Sequence, residues 1–114
     1  MTISNYLKST DEGTEKHCPY ITATNCQSCG ELSVTIQVGK DVIHPSTSEH
    51  SIKTITLYGV TDNDKLEQLS VFQLGDDRTV PSVRTSVKKE KYKKLLATSY
   101  CNLHGLWESE IDLL

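Results

Sequence analysis

The sequence predicts an all-β domain, an antiparallel sandwich or barrel, on three observations. Long segments favour β-branched residues and alternate apolar with polar side chains, the pattern of a half-buried strand. Turn-forming residues recur about every ten positions, and Pro19, Pro45 and Pro81 fall near the ends of these segments. Helix start and stop signals are weak throughout.

Taken in order, residues 1–14 are polar and read as a flexible N-terminal arm, which leaves 15–114 as a single folded domain. Leu32, Val34, Ile36 and Val38 alternate with Ser33, Thr35 and Gln37, and Gly39-Lys40-Asp41 ends that strand. A second strand is expected over 50–58. Its apolar phase slips between Ile52 and Ile55, which points to a bulge. Asp62-Asn63-Asp64 marks a turn, and further strands are expected over 66–74, 80–87 and 95–100, with a last one after Gly105. Residues 88–96 are the one stretch expected to be helical, for a turn or two. No internal repeat and no interdomain linker is visible.

With 114 residues the chain can bury a genuine core without disulfides. Its 12 Lys and Arg against 15 Asp and Glu, a formal net charge of −3, argue against nucleic acid or an anionic membrane as partner. Lys88, Lys89, Lys91, Lys93 and Lys94 form a local basic run, read as a solvated face. The functional alternative is attraction of a small anion or an acidic protein. No apolar stretch approaches bilayer length and the first residues lack a signal-like apolar region, so a cytoplasmic location with reduced thiols is expected. Of the four cysteines, Cys26 and Cys29 form a single C-x-x-C and Cys18 stands alone. A four-cysteine zinc or rubredoxin-type site needs two such pairs. The C-x-x-C suits a redox pair, a disulfide or an inert polar turn, and the last is expected because no βαβ pattern surrounds it.

The four histidines fall in three short motifs. His17 follows Glu15-Lys16, His44 and His50 bracket Pro45-Ser46-Thr47-Ser48-Glu49, and His104 closes Cys101-Asn102-Leu103-His104. Imidazole suits several transition metals, and a thiolate narrows the choice toward those that accept soft donation. A structural zinc closes at four ligands, one fewer than these five donors. Four imidazoles in a plane with a thiolate below would leave the position opposite sulfur open, where the thiolate pushes electron density. That set suits a redox iron acting on a small oxygen species.

The three motifs also carry a resemblance. Glu15-Lys16-His17 followed by Pro19, His44-Pro45-x4-His50, and Cys101-Asn102-x-His104-Gly105-Leu106-Trp107 together resemble the superoxide reductases of the desulfoferrodoxin family, in particular the one-iron neelaredoxin type. The resemblance runs from Glu15 to about Glu108. It implies an immunoglobulin-like β-sandwich with one non-haem Fe(His)4(Cys) centre that reduces superoxide to hydrogen peroxide without producing dioxygen. By the same resemblance His17, His44, His50 and His104 are equatorial ligands and Cys101 is axial. Glu15 occupies the sixth position in the ferric state, and Lys16 sets a positive charge beside the open site. A small donor such as rubredoxin and a homo-oligomer, a tetramer or otherwise a dimer, are implied as well. Cys18, Cys26 and Cys29 lie outside the family motifs, and Trp107 is read as core packing beside the site. Two rivals remain open at this point. One is a non-catalytic zinc- or iron-binding sandwich serving interaction or electron transfer. The other is a blue-copper-like carrier, disfavoured because the only methionine is Met1.

Overall fold

In the computed structural model, residues 1–10, 16–26, 30–88 and 90–113 are described. Seven strands account for most of them: β1 (Pro19–Asn25), β2 (Glu31–Val38), β3 (Ile52–Val60), β4 (Leu66–Gln73), β5 (Ser82–Lys88), β6 (Lys94–Cys101) and β7 (Gly105–Asp112). They form a three-stranded sheet in the order β1-β2-β5 and a four-stranded sheet in the order β4-β3-β6-β7. The pairings among these seven strands are antiparallel. This is an immunoglobulin-like sandwich with its fourth strand in the second sheet.

Strict alternation makes β2 the centre of the smaller sheet, with Leu32, Val34, Ile36 and Val38 buried and the intervening residues partly exposed. Ile52, Ile55 and Leu57 of β3 and Leu95 and Ala97 of β6 face them from the other sheet. Each large aliphatic side chain removed from water in this way contributes roughly 1.5–3 kcal/mol. The phase slip in β3 is a real irregularity, since its register against β6 shifts between Ile52 and Thr54. The shift leaves Ile52 paired with Cys101.

The secondary structure departs from the sequence reading at two places. The strand β1 is not announced by the sequence pattern, because only Ile21 and Ala23 of its inner row are apolar. It is an edge strand opened by Pro19, a place where the missing N–H does no harm. The helix expected over 88–96 is absent among the described residues. Lys88 ends β5, Lys94 opens β6, and the described helical elements are two 3-10 turns, at Ile3–Asn5 and Asp76–Arg78. Sheet pairing overrides the helix propensity of the lysines: Leu95 enters the core while its neighbours pair with β3 and β7.

The register places five strand ends together. Pro19 pairs with Val38, Ile52 with Cys101, and Cys101 with Gly105. The segment before β1, the β2–β3 loop and the β6–β7 loop therefore meet at one end of the sandwich, and these three segments hold all the histidines. Along β6, Lys94 lies roughly 23 Å from Cys101 at the usual strand rise. The basic run is thus at the far end, where Lys88 pairs with Glu31 at 3.6 Å, Lys93 pairs with Asp64, and Lys94 pairs with Glu110 at 2.8 Å. Lys89 lies outside the described residues.

Candidate metal centre

His44 is delivered by the turn that leaves β2. Gly39 there has φ +91°, and a Cβ in its place would lie 2.1 Å from the Val42 carbonyl oxygen, so only glycine allows the chain to fold back. The fold-back lets the His44 N–H donate to the Val38 carbonyl at 2.9 Å. The His44 ring is buried, and its Nδ1 lies 2.8 Å from the Pro45 carbonyl oxygen. A carbonyl only accepts, so Nδ1 carries the proton and Nε2 keeps its lone pair for the interior. That nitrogen is 3.7 Å from Cys101 Sγ.

His50 is brought back by a closed turn. The Thr47 N–H donates to the His50 carbonyl at 2.9 Å, and the His50 N–H donates to Thr47 Oγ1 at 2.9 Å. Cys101 ends β6 with its thiol fully buried, and His104 follows in the turn that Gly105 closes at φ +89°. His104 Nδ1 lies 3.7 Å from Cys101 Sγ. From the other side of the fold, His17 enters just before β1, buried, with its carbonyl accepting a hydrogen bond from Ser99 Oγ at 2.8 Å.

Ring centres define the arrangement. The neighbouring pairs His17–His44, His44–His50, His50–His104 and His104–His17 are 4.8, 4.6, 5.0 and 4.7 Å apart. His17 and His50, across the diagonal, are 6.3 Å apart. Four near-equal sides and a longer diagonal describe a closed ring of imidazoles, with the Cys101 sulfur 3.7 Å from a nitrogen of His44 and of His104. The potential ligand atoms of His17, His44, His50 and Cys101 all lie within 4.8 Å of one another. Imidazole nitrogens each about 2.1 Å from one ion and at a right angle stand about 3.0 Å apart. His17 Nε2 and His104 Nδ1 are 3.0 Å apart. The donor set therefore fits a single ion with imidazole and thiolate ligands, the chemistry expected of an iron or another borderline transition metal rather than a hard cation.

The structure brings together the five residues that the sequence singles out as metal donors. Lys16, partly buried, precedes His17 directly. Glu15 lies outside the described residues. Two supporting residues escape the sequence reading. Asn102 ties the two histidine loops together: its side chain accepts from the Ser51 N–H at 3.0 Å and donates to the Glu49 carbonyl at 2.8 Å. Its signal was its place inside the Cys-Asn-x-His motif. Ser99 holds the His17 backbone, and its signal was a polar residue in the inward row Leu95, Ala97, Ser99, Cys101 of β6. Cys26, expected in an inert turn, is instead disulfide-bonded. It sits in the β1–β2 turn, at the end of the sandwich away from the histidines, while Cys29 lies outside the described residues.

Known proteins resemble this chain over nearly its whole length. The desulfoferrodoxin family pattern matches residues 9–110. A superoxide reductase of Pyrococcus furiosus is 37% identical, covering 97% of this chain and 98% of that protein. The neelaredoxin of Megalodesulfovibrio gigas is 31% identical, covering 96% of this chain and 95% of that protein. Among solved structures, the superoxide reductase of Giardia intestinalis superposes with a TM-score of 0.79 at 37% identity, covering 88% of this chain and 100% of that one.

Proposed function

The chain belongs to the desulfoferrodoxin family, and from that premise we propose that it is a superoxide reductase whose single iron is held by His17, His44, His50, His104 and Cys101. The observation that carries the reading is the ring of four imidazoles gathered beside one buried thiol. Iron, when bound, supplies the one-electron couple by which superoxide, with two protons, becomes hydrogen peroxide without dioxygen being formed.

The chain's own residues prepare that chemistry. Burial of Cys101 keeps water away from the sulfur, which preserves its donor strength toward the metal. The proton fixed on His44 Nδ1 by the Pro45 carbonyl leaves the opposite nitrogen available as a donor. Lys16 presents a positive charge that attracts the superoxide anion and favours the added negative charge during reduction. Glu15 would supply a carboxylate to the oxidised iron as a further ligand.

The remaining parts of the proposal concern partners and place. A small redox protein such as rubredoxin returns the electron, and the chain works as a homo-oligomer, a tetramer or otherwise a dimer. Leu66, Val71 and Tyr100, all substantially exposed on the outer face of the four-stranded sheet, support self-association. The proposed location is the cytoplasm, whose reducing milieu has to leave the Cys26 disulfide intact.

Metal analysis combined with optical spectra of both oxidation states tests the central claim. One iron per chain, a visible thiolate-to-iron band in the ferric protein, and superoxide consumption yielding peroxide but no dioxygen are expected. A colourless zinc protein would refute the assignment.

A further inference from the structure

We propose that Trp107 is a positioning residue for the metal ligands, holding the His17 ring with its face and the His104 loop with its N–H. The proposal rests on the reading of the histidine and cysteine cluster as a metal site. Trp107 is 2% exposed, so the indole has little room to move. Its ring and that of His17 are stacked, 4.7 Å apart and inclined by only 14°. The other imidazoles meet His17 at 62°, 38° and 68°, whereas the indole offers that ring a nearly parallel face. At its edge, the Trp107 Nε1–H donates to the His104 carbonyl at 3.2 Å.

Both ligands need such support. His17 lies in an irregular segment just ahead of β1, where no sheet pairing orients the side chain. Ser99 fixes its backbone, and the stack fixes the ring plane and hence the direction of the Nε2 lone pair. His104 sits in an exposed turn, and the indole N–H anchors the carbonyl of that residue. A ligand whose lone pair swings away from the ion loses most of its value, and removing such supporting contacts typically weakens metal binding by about 10- to 100-fold. The indole is itself braced. The Lys8 N–H donates to the Leu106 carbonyl at 3.2 Å and the Glu108 N–H donates to the Lys8 carbonyl at 2.8 Å, one on each side of Trp107. The Lys8 ammonium lies 5.0 Å from the indole ring centre.

The test separates the face from the N–H. Trp107→Phe keeps a flat ring without a donor, and Trp107→Leu removes both. The metal-free full chain and both variants are titrated with Co2+, reading the dissociation constant and the ligand-field and thiolate-to-cobalt absorption. The dissociation constant should rise about two- to fivefold in Trp107→Phe and at least tenfold in Trp107→Leu, with altered ligand-field bands in both. In the unaltered chain, exchange of the Trp107 indole proton should slow at least tenfold on adding Zn2+, because a residue that holds the ligands is held by the metal in return. This second measurement stands even where Trp107→Leu does not fold. Unchanged Co2+ affinity and bands in a folded variant, or indole exchange indifferent to Zn2+, would overturn the proposal. A wild-type chain that bound no Co2+ would instead overturn the metal-site reading beneath it.

Discussion

At the scale of single residues, Cys101 and Lys16 have separable parts in the proposed chemistry. Cys101 is fully buried, yet serine fills nearly the same space, so Cys101→Ser changes the donor far more than the packing. That variant should lose the ferric visible band and the reductase activity while circular dichroism still reports the sandwich. Retention of the band would remove Cys101 from the ligand set. The role proposed for Lys16 works through charge at a partly exposed position, where solvent and salt screen it. Lys16→Ala should slow the reaction of the reduced protein with superoxide about tenfold at low ionic strength and flatten its salt dependence, with the metal spectrum nearly unchanged. Stopped-flow or pulse-radiolysis rates at several salt concentrations check this. Neutralising Lys93 and Lys94, which are paired with acidic groups at the far end of the sandwich, should change the rate much less.

At the scale of elements, the centre depends on loops being locked to strands and to one another. Ser99 and Cys101 sit in the same inward row of β6, one gripping the His17 backbone and the other supplying the thiol. Asn102 then fastens the β6–β7 turn to the chain around Glu49 and Ser51. Asn102→Ala deletes both hydrogen bonds, and the expected loss of stability is about 1–3 kcal/mol. Because the affected contacts hold the two histidine loops together, metal affinity should fall as well. Denaturant midpoints of the metal-free protein and a metal titration measure the two effects. A full loss of stability with unaltered affinity would show that Asn102 serves the fold alone.

At the scale of the molecule, one end of the sandwich gathers the proposed ligands and the opposite end carries ion pairs. The proposed ligands come from three segments far apart in sequence, so a bound metal cross-links them and stabilises the folded state by mass action. With free metal at 100 times its dissociation constant the gain is about 2.7 kcal/mol, and chelation should lower the thermal midpoint accordingly. At the other end, the Tyr92 hydroxyl donates to Glu67 at 2.8 Å, and that hydrogen bond raises the phenol above its ordinary pKa. The hydrogen bond of Lys94 with Glu110 likewise raises the ammonium. A group whose pKa is higher in the folded than in the unfolded state stabilises fully below its unfolded value, and the contribution is lost as pH rises through the folded value. Stability should therefore decline from about pH 10 upward, the ordinary range of these groups. Tyr92→Phe should reduce the slope of that decline, measured as denaturant midpoint against pH. Asp64 behaves oppositely: its hydrogen bond and charge pairing with Lys93 lower its pKa, so its contribution is lost only in acid, below the ordinary carboxylate range.

How much of this was legible in the sequence follows from where each signal resides. The alternation in β2, the phase slip in β3 and the turn residues are local, and local sterics and burial write them into the residue order. The proposed metal donors stood out for a different reason: histidine and cysteine are scarce in this chain, and their motifs have a chemistry of their own. What the residue order could not express is pairing across distance. The strand β1 exists because β2 offers an edge to it, and Lys94, Leu95 and Leu96 at the end of the expected helix are extended because β3 and β7 pair with them. The same holds for the supports of the centre. A serine in β6, an asparagine beside the thiol and a tryptophan in β7 acquire their roles only when the register sets them against His17, Ser51 and His104. By itself the sequence determined the chemistry of the donors and the sandwich class, whereas the tertiary structure alone decided their geometry. The physical reason is that ring planes and loop positions are fixed by contacts between residues up to about ninety positions apart, such as His17 with Ser99 and Trp107.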